Sequence, residues 1–194
     1  MAQITVEPAT PARFDDAQHA LTGGGDGRSC QCQWWTLTNT EFNATPTDER
    51  RRLLKDEIGT GPPPALIAYV DGEAAGWVRV GPRTAQVRLS RTRKFSATEE
   101  PWDDDSVWAV SCFVVRKEHR GAGLNARLLD AAIDFARDRG ARVVEAYPVD
   151  PAAGAKKASN DLYHGVVSTF AAAGFREVAR PSPDRAIMAL ELRS

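Results

Sequence analysis

The chain has no long apolar run, no repeat, few cysteines and no excess of either charge, and each shortage removes a class of protein. Nothing in its 194 residues approaches the roughly 18 consecutive apolar residues of a spanning helix, so no membrane partner is expected. The 25 Lys and Arg nearly balance 26 Asp and Glu, leaving a net charge of −1. Nothing global attracts polyanions, and nucleic acid is not expected as a partner. There are 3 cysteines, and Cys30 and Cys32 lie too close in sequence for good disulfide geometry. That suits a reducing cytoplasm, the expected location. A zinc site would need a fourth ligand at a recognisable spacing, so no metal is expected. The stretch Met1–Glu7 has neither a basic n-region nor an apolar h-region and does not read as a secretory signal. What is present is ordinary for a globular protein: 42% hydrophobic and 26% charged residues. At about 150 residues per domain, residues 1–194 are expected to form a single domain.

The patterning predicts an α/β fold. Residues 3–7 read as a strand and 11–22 as a helix, stopped by the glycine-rich 23–27. An apolar, aromatic knot follows at Cys30–Trp35, then a helix from an N-cap at Thr47 to about Ile58, ended by Pro62–Pro64. Strands at 65–70 and 75–80 flank Asp71-Gly72, a hairpin signal. Residues 81–106 look irregular, and a loop this long is usually functional or mobile. An apolar strand spans 107–115. Leu124, Leu128, Ala131 and Phe135 then recur at helical spacing up to Gly140. A buried strand at 143–147, a helix opening at Ser159, and strands at 175–180 and 186–192 complete a sheet of mixed direction.

The chemistry concentrates in the turn between strand 107–115 and the helix from Leu124, Arg116-Lys117-Glu118-His119-Arg120-Gly121-Ala122-Gly123. A turn entering a helix leaves backbone N–H groups without intrahelical partners, and the helix dipole adds positive potential. Gly121 and Gly123 let the backbone approach an anion closely. By physics alone this is a phosphate or pyrophosphate cradle, or else a tight turn with an incidental glycine pair. The turn has neither the Gly-Lys-Ser/Thr of a Walker loop nor the full dinucleotide fingerprint.

Val115-x4-Arg120-Gly121-x-Gly123-Leu124, between an apolar strand and an amphipathic helix, resembles motif A of the GNAT superfamily of acyl-CoA N-acyltransferases. Ala171–Val178, with Gly174-Phe175 at its centre, resembles that family's late helix-to-strand junction, and Asp71-Gly72 with Ala75-Gly76-Trp77 resembles its early hairpin. The resemblance implies a single-domain GNAT fold: a mixed sheet of about seven strands, splayed between strands four and five and flanked by about four helices. It implies an N-acetyltransferase using acetyl-CoA as co-substrate, with pantetheine held by main-chain groups of Phe113 and Val115. The pyrophosphate would lie on the amides of Arg120, Gly121, Ala122, Gly123, Leu124 and Asn125. Direct attack by a primary amine of a small molecule, in a ternary complex, is the implied reaction. Acetylation of a peptide or protein, and a non-catalytic acyl-CoA-binding regulatory module, are the alternatives. Many GNAT proteins are dimers, and a homodimer is the corresponding expectation.

The resemblance leaves the proton chemistry open. The positions where family members carry a glutamate and a tyrosine are Ala109 and Phe170 here. Ser111 is a candidate water anchor on the same strand face. Tyr163, expected on the same helix face as Phe170, is the candidate acid. Glu145, across the splay, is the candidate base; its competing reading is an ion pair with Arg142 or another arginine. Asp103–Asp105 could draw a cationic amine, and Arg88, Arg91, Arg93 and Lys94 could meet an anion, though all are expected mainly as solvated charges. His164 is a weaker candidate base. Cys112 reads as core. Trp34, Trp35, Trp102 and Trp108 could line an aromatic acceptor pocket.

Overall fold

The computed structural model describes residues 2–153 and 162–192. Strand β1 (Ile4–Pro8) leads through helices α1 (Phe14–Leu21), α2 (Gly27–Cys30), α3 (Asn39–Ala44) and α4 (Thr47–Thr60) to strands β2 (Ala65–Val70) and β3 (Glu73–Pro82). Helix α5 (Val87–Arg91) precedes strand β4 (Val107–Val115), helix α6 (Leu124–Arg137) and strand β5 (Val143–Ala146). Helix α7 (Val167–Ala172) and strands β6 (Arg176–Ser182) and β7 (Arg185–Glu191) follow. The seven strands lie in the order β1-β2-β3-β4-β5-β7-β6. Among the described strands only β4 and β5 run parallel, and their pairing covers Val107–Val110 against Val143–Ala146. Beyond Val110 the two strands separate, so the expected splay is present.

Each face of the sheet carries its own apolar layer. On one, α6 presents Leu124, Leu128, Leu129, Ile133 and Phe135, spaced as a helix stripe, to Val78, Val80, Val110 and Phe113. On the other, α1 and α4 pack Leu21, Leu54 and Ile58 against Ile67, Trp77 and Trp35. Among the described residues there are seven α-helices, where about four were expected. The additional ones are short. One of them, α3, begins with a capping box: Thr38 and Glu41 accept each other's backbone N–H. That Thr-x-x-Glu signal is readable in the sequence.

Two further expectations need correction. The segment 81–106 is not a free loop: Leu89 and Phe95 are buried, and Arg83 runs into the core. The late helix does not include Tyr163. Gly165 takes a left-handed φ of +77°, Val166 is extended, and the helix starts at Val167. A Cβ on Gly165 would come within 2.8 Å of Phe170, so glycine is required at this break. Ser159, the expected start, lies outside the described residues.

Candidate active site

At the end of β4, Lys117–His119 make one short 3-10 turn, and Gly121 and Gly123 both adopt positive φ, +82° and +73°. Gly123 is the N-cap of α6, with no side-chain cap and no acidic residue in the first turn. The amides that open the helix therefore face outward without intrahelical acceptors. A Cβ built on either glycine meets nothing within 4 Å, so the cradle is open. The turn is tied to the end of α1 and the loop after it: the Lys117 N–H donates to the Gly23 carbonyl at 3.1 Å and Arg116 Nη1 to the His19 carbonyl at 2.7 Å.

This cradle forms one end of a cavity of about 700 Å³. The cavity follows β4 from Val115 to Cys112 and reaches Cys32, Trp34, Trp35, Phe42 and Tyr163. Gly24–Gly27, Arg50, His119 and Arg120 also border it. The splay is partly filled by the chain itself. The Phe113 N–H donates to the Tyr163 carbonyl at 2.6 Å, and the Val149 N–H to the Gly165 carbonyl at 3.0 Å.

The sequence profile of the Acetyltransferase (GNAT) family matches residues 32–163, about two thirds of the chain, and takes in most of the residues that line this cavity. The chain belongs to the GNAT acetyltransferase family. No curated protein matches it in sequence. Solved structures similar to this GNAT chain include an acetyltransferase of the GNAT family from Streptococcus pneumoniae, at 13% identity and TM-score 0.55, covering 98% of this chain and 100% of that one. The ribosomal-protein-S18-alanine N-acetyltransferase from Escherichia coli is similar at 16% identity and TM-score 0.52, covering 97% and 94%. So is yncA from Salmonella typhimurium, solved with its cofactor acetyl-CoA, at 19% identity and TM-score 0.53, covering 98% and 94%. At these identities the likeness concerns the fold.

In this GNAT cavity the anion cradle fits a phosphate-bearing donor such as acetyl-CoA. Gly121, Gly123, Leu124 and Asn125 border the cavity directly, with Arg120 beside them. The Arg120 side chain donates through Nε to the Val115 carbonyl at 3.3 Å. One departure concerns Phe113: its N–H is already taken by Tyr163, so its carbonyl is the main-chain group left for a donor.

The three catalytic candidates separate. Tyr163 lies on the cavity wall, its ring stacked on His164 at 4.3 Å. Burial pushes its hydroxyl up to about 12, so it stays protonated at neutral pH. Glu145 does not face the cavity. It is fully buried in an ion pair with Arg83 Nη1 at 2.6 Å, and it accepts hydrogen bonds from Thr98 and from the Tyr147 hydroxyl, the latter at 2.8 Å. Arg142 pairs with Glu100 and Asp104 instead. Ser111 is buried too, and its hydroxyl donates to Gln86 Oε1 at 2.5 Å. Gln86 in turn donates through Nε2 to the Ala109 carbonyl, which leaves Ser111 off the cavity lining.

The weaker candidates are likewise sorted. His164 is buried and burial pushes its pKa well down, so the ring is neutral. Asp104 is held down to about 2 by Ser106 and Arg142 and lies away from the cavity. The Arg88 guanidinium sits 3.6 Å over the Trp34 ring. Trp34 and Trp35 border the cavity, whereas Trp102 lies under Arg83 and Trp108 packs on Phe135.

One group on this wall has no signal in the local sequence. Cys32 Sγ accepts a hydrogen bond from Trp77 Nε1 at 3.3 Å, and buried Arg79 lies behind it, paired with Glu57. The partners are separated by tens of residues, and only folding brings them together.

Proposed function

We propose that the chain transfers an acetyl group from acetyl-CoA to a primary amine of a small molecule with an apolar or aromatic body. One observation carries this: a single cavity joins the anion cradle at Gly121–Asn125 to the aromatic end at Trp34, Trp35 and Phe42. Bound acetyl-CoA supplies the activated thioester. Gly121, Ala122, Gly123, Leu124 and Asn125 offer amides to its pyrophosphate, and Arg120 adds a positive charge. Val115 and the carbonyl of Phe113 offer main-chain groups to its pantetheine arm. The aromatic end excludes water and receives the acceptor's body. Tyr163 holds its proton at neutral pH and supplies it to a departing thiolate.

The test is release of free thiol from acetyl-CoA across amino sugars, polyamines, amino acids, aromatic amines and short peptides, with an enzyme-only blank for the protein's own thiols. Turnover with aromatic or apolar amines is expected. Turnover with peptides alone would replace the small-molecule reading. Acetyl-CoA binding without turnover on any amine would replace it with a non-catalytic one.

A further inference from the structure

The cavity is cationic at both ends. Arg120 stands at the cradle. Arg50 borders the aromatic end, its guanidinium carbon 3.7 Å over the Phe42 ring. Arg88 holds the neighbouring ring: its guanidinium carbon lies 3.6 Å over Trp34, and its Nε donates to the Trp34 carbonyl. Trp34 and Phe42 meet edge to face, with centroids 5.0 Å apart. Two guanidiniums thus flank the pair of rings that ends the cavity.

Neither guanidinium is neutralised. Arg50 Nη1 donates to the Ser29 carbonyl at 2.8 Å and Nη2 to the Phe42 carbonyl at 2.7 Å, and its Nε is buried without an acceptor. Arg88 Nη1 reaches the Asn39 amide oxygen at 3.5 Å, and Nη2 is buried and unpaired. Among the described residues no carboxylate pairs with either side chain. The other buried guanidiniums, Arg79 and Arg83, are paired with Glu57 and Glu145. Burial lowers the pKa of Arg88, and the groups acting against that are Tyr163 and Cys30, both on the cavity wall. Desolvating a guanidinium is costly unless an anion meets it. Among the described residues Asp26 is the one carboxylate that borders the cavity. It is exposed at the start of α2 and pairs with neither arginine. The aromatic end is therefore apolar in body and positive in charge, which disfavours a polyamine and draws a carboxylate.

We propose that the acceptor is an amino acid with an aromatic or apolar side chain, its carboxylate held by Arg50 and its side chain by Trp34, Trp35 and Phe42. This rests on the acetyltransferase reading above and narrows its substrate. A guanidinium stacked on a ring keeps its edge for a carboxylate, and Arg50 has N–H groups to spare. Arg88 does not border the cavity and is a positioning residue: it fixes the Trp34 ring and carbonyl and adds positive potential.

Pairs of amines differing by one carboxylate test this: phenylalanine with phenethylamine, tryptophan with tryptamine, leucine with isoamylamine. Thiol release from acetyl-CoA gives kcat/KM for each. The carboxylate-bearing member should be preferred by at least about tenfold. Arg50→Gln should bring that ratio close to unity, with acetyl-CoA affinity by calorimetry little changed. Arg50→Lys, which keeps the charge but not the fork, should fall between. An equal or reversed preference in the parent overturns the proposal and leaves the acetyltransferase reading standing. So does an Arg50→Gln variant that loses activity equally on both members of a pair, since that marks a packing role through Ser29 and Phe42. A tenfold loss of acetyl-CoA affinity in Arg50→Gln would give Arg50 to the donor and overturn the proposal as well. If no amine is acetylated, calorimetry of N-acetylphenylalanine against N-acetylphenethylamine, in the presence of CoA, decides the carboxylate site separately. Selective binding that is lost in Arg50→Gln supports the site although the transferase reading falls; no selectivity overturns both.

Discussion

Glu145→Gln separates a base from a structural anion. Arg83 and Glu145 both have fully buried side chains and pair at 2.6 Å. Arg83 also donates through Nη2 to the Glu100 carbonyl at 2.9 Å and lies 4.2 Å over the Trp102 ring. Removing the carboxylate charge leaves a guanidinium in the core without its counter-ion. Breaking one side of a buried pair costs about 3–5 kcal/mol. At roughly 2–4 °C per kcal/mol for a chain of this size, Tm should fall by roughly 6–20 °C. Below that transition, acetyl-CoA affinity should change little, because Glu145 does not line the cavity. Differential scanning calorimetry and isothermal titration of acetyl-CoA read the two quantities. The double variant Arg83→Met with Glu145→Met should recover most of the loss, since an apolar pair leaves no charge unpaired. An unchanged Tm with turnover lost would refute this reasoning and return Glu145 to the role of base.

Gly123→Val places a β-branched side chain at φ +73° and projects it into the open cradle. Acetyl-CoA binding should weaken at least tenfold, about 1.4 kcal/mol, by calorimetry on folded protein. Tyr163→Phe should lower turnover while leaving acetyl-CoA affinity nearly intact. Unaltered turnover would remove the hydroxyl from the chemistry. His164 is buried and neutral, its pKa depressed by burial. The unfolded chain binds a proton near pH 6.5 that the folded state resists, so stability should fall as pH drops below about 6.5, by up to about 1.4 kcal/mol per unit. Chemical denaturation at pH 5 and 7 should show that slope flattened in His164→Phe.

Much of the fold is legible in the sequence because its signals are local. The stripe Leu124, Leu128 and Phe135, the apolar run at 107–115 and the Asp71-Gly72 hairpin each follow from a period or a turn preference, and each element stands near its expected place. The Thr38-x-x-Glu41 capping box was equally local and marks a helix that periodicity alone did not show. Tyr163 was harder. Its neighbours Leu162, Val166 and Phe170 mimic a helix face, yet Gly165 breaks the turn because the Phe170 and Phe113 rings leave no room for a side chain.

The sequence by itself determines the glycine-bearing turn whose amides are offered to an anion. Two glycines, a strand end and a helix start lie within one short stretch, and the N–H groups are unpaired by the geometry of helix initiation. Only tertiary structure decides which ionisable groups face the cavity. Glu145 finds Arg83 and Ser111 finds Gln86 through contacts 62 and 25 residues apart in sequence, and both are thereby withdrawn. Cys32 is brought to the wall by Trp77, 45 residues away. The reason is physical: a buried charge or polar hydrogen must find a partner, and which partner lies within reach depends on how helices and sheet pack, not on neighbouring letters.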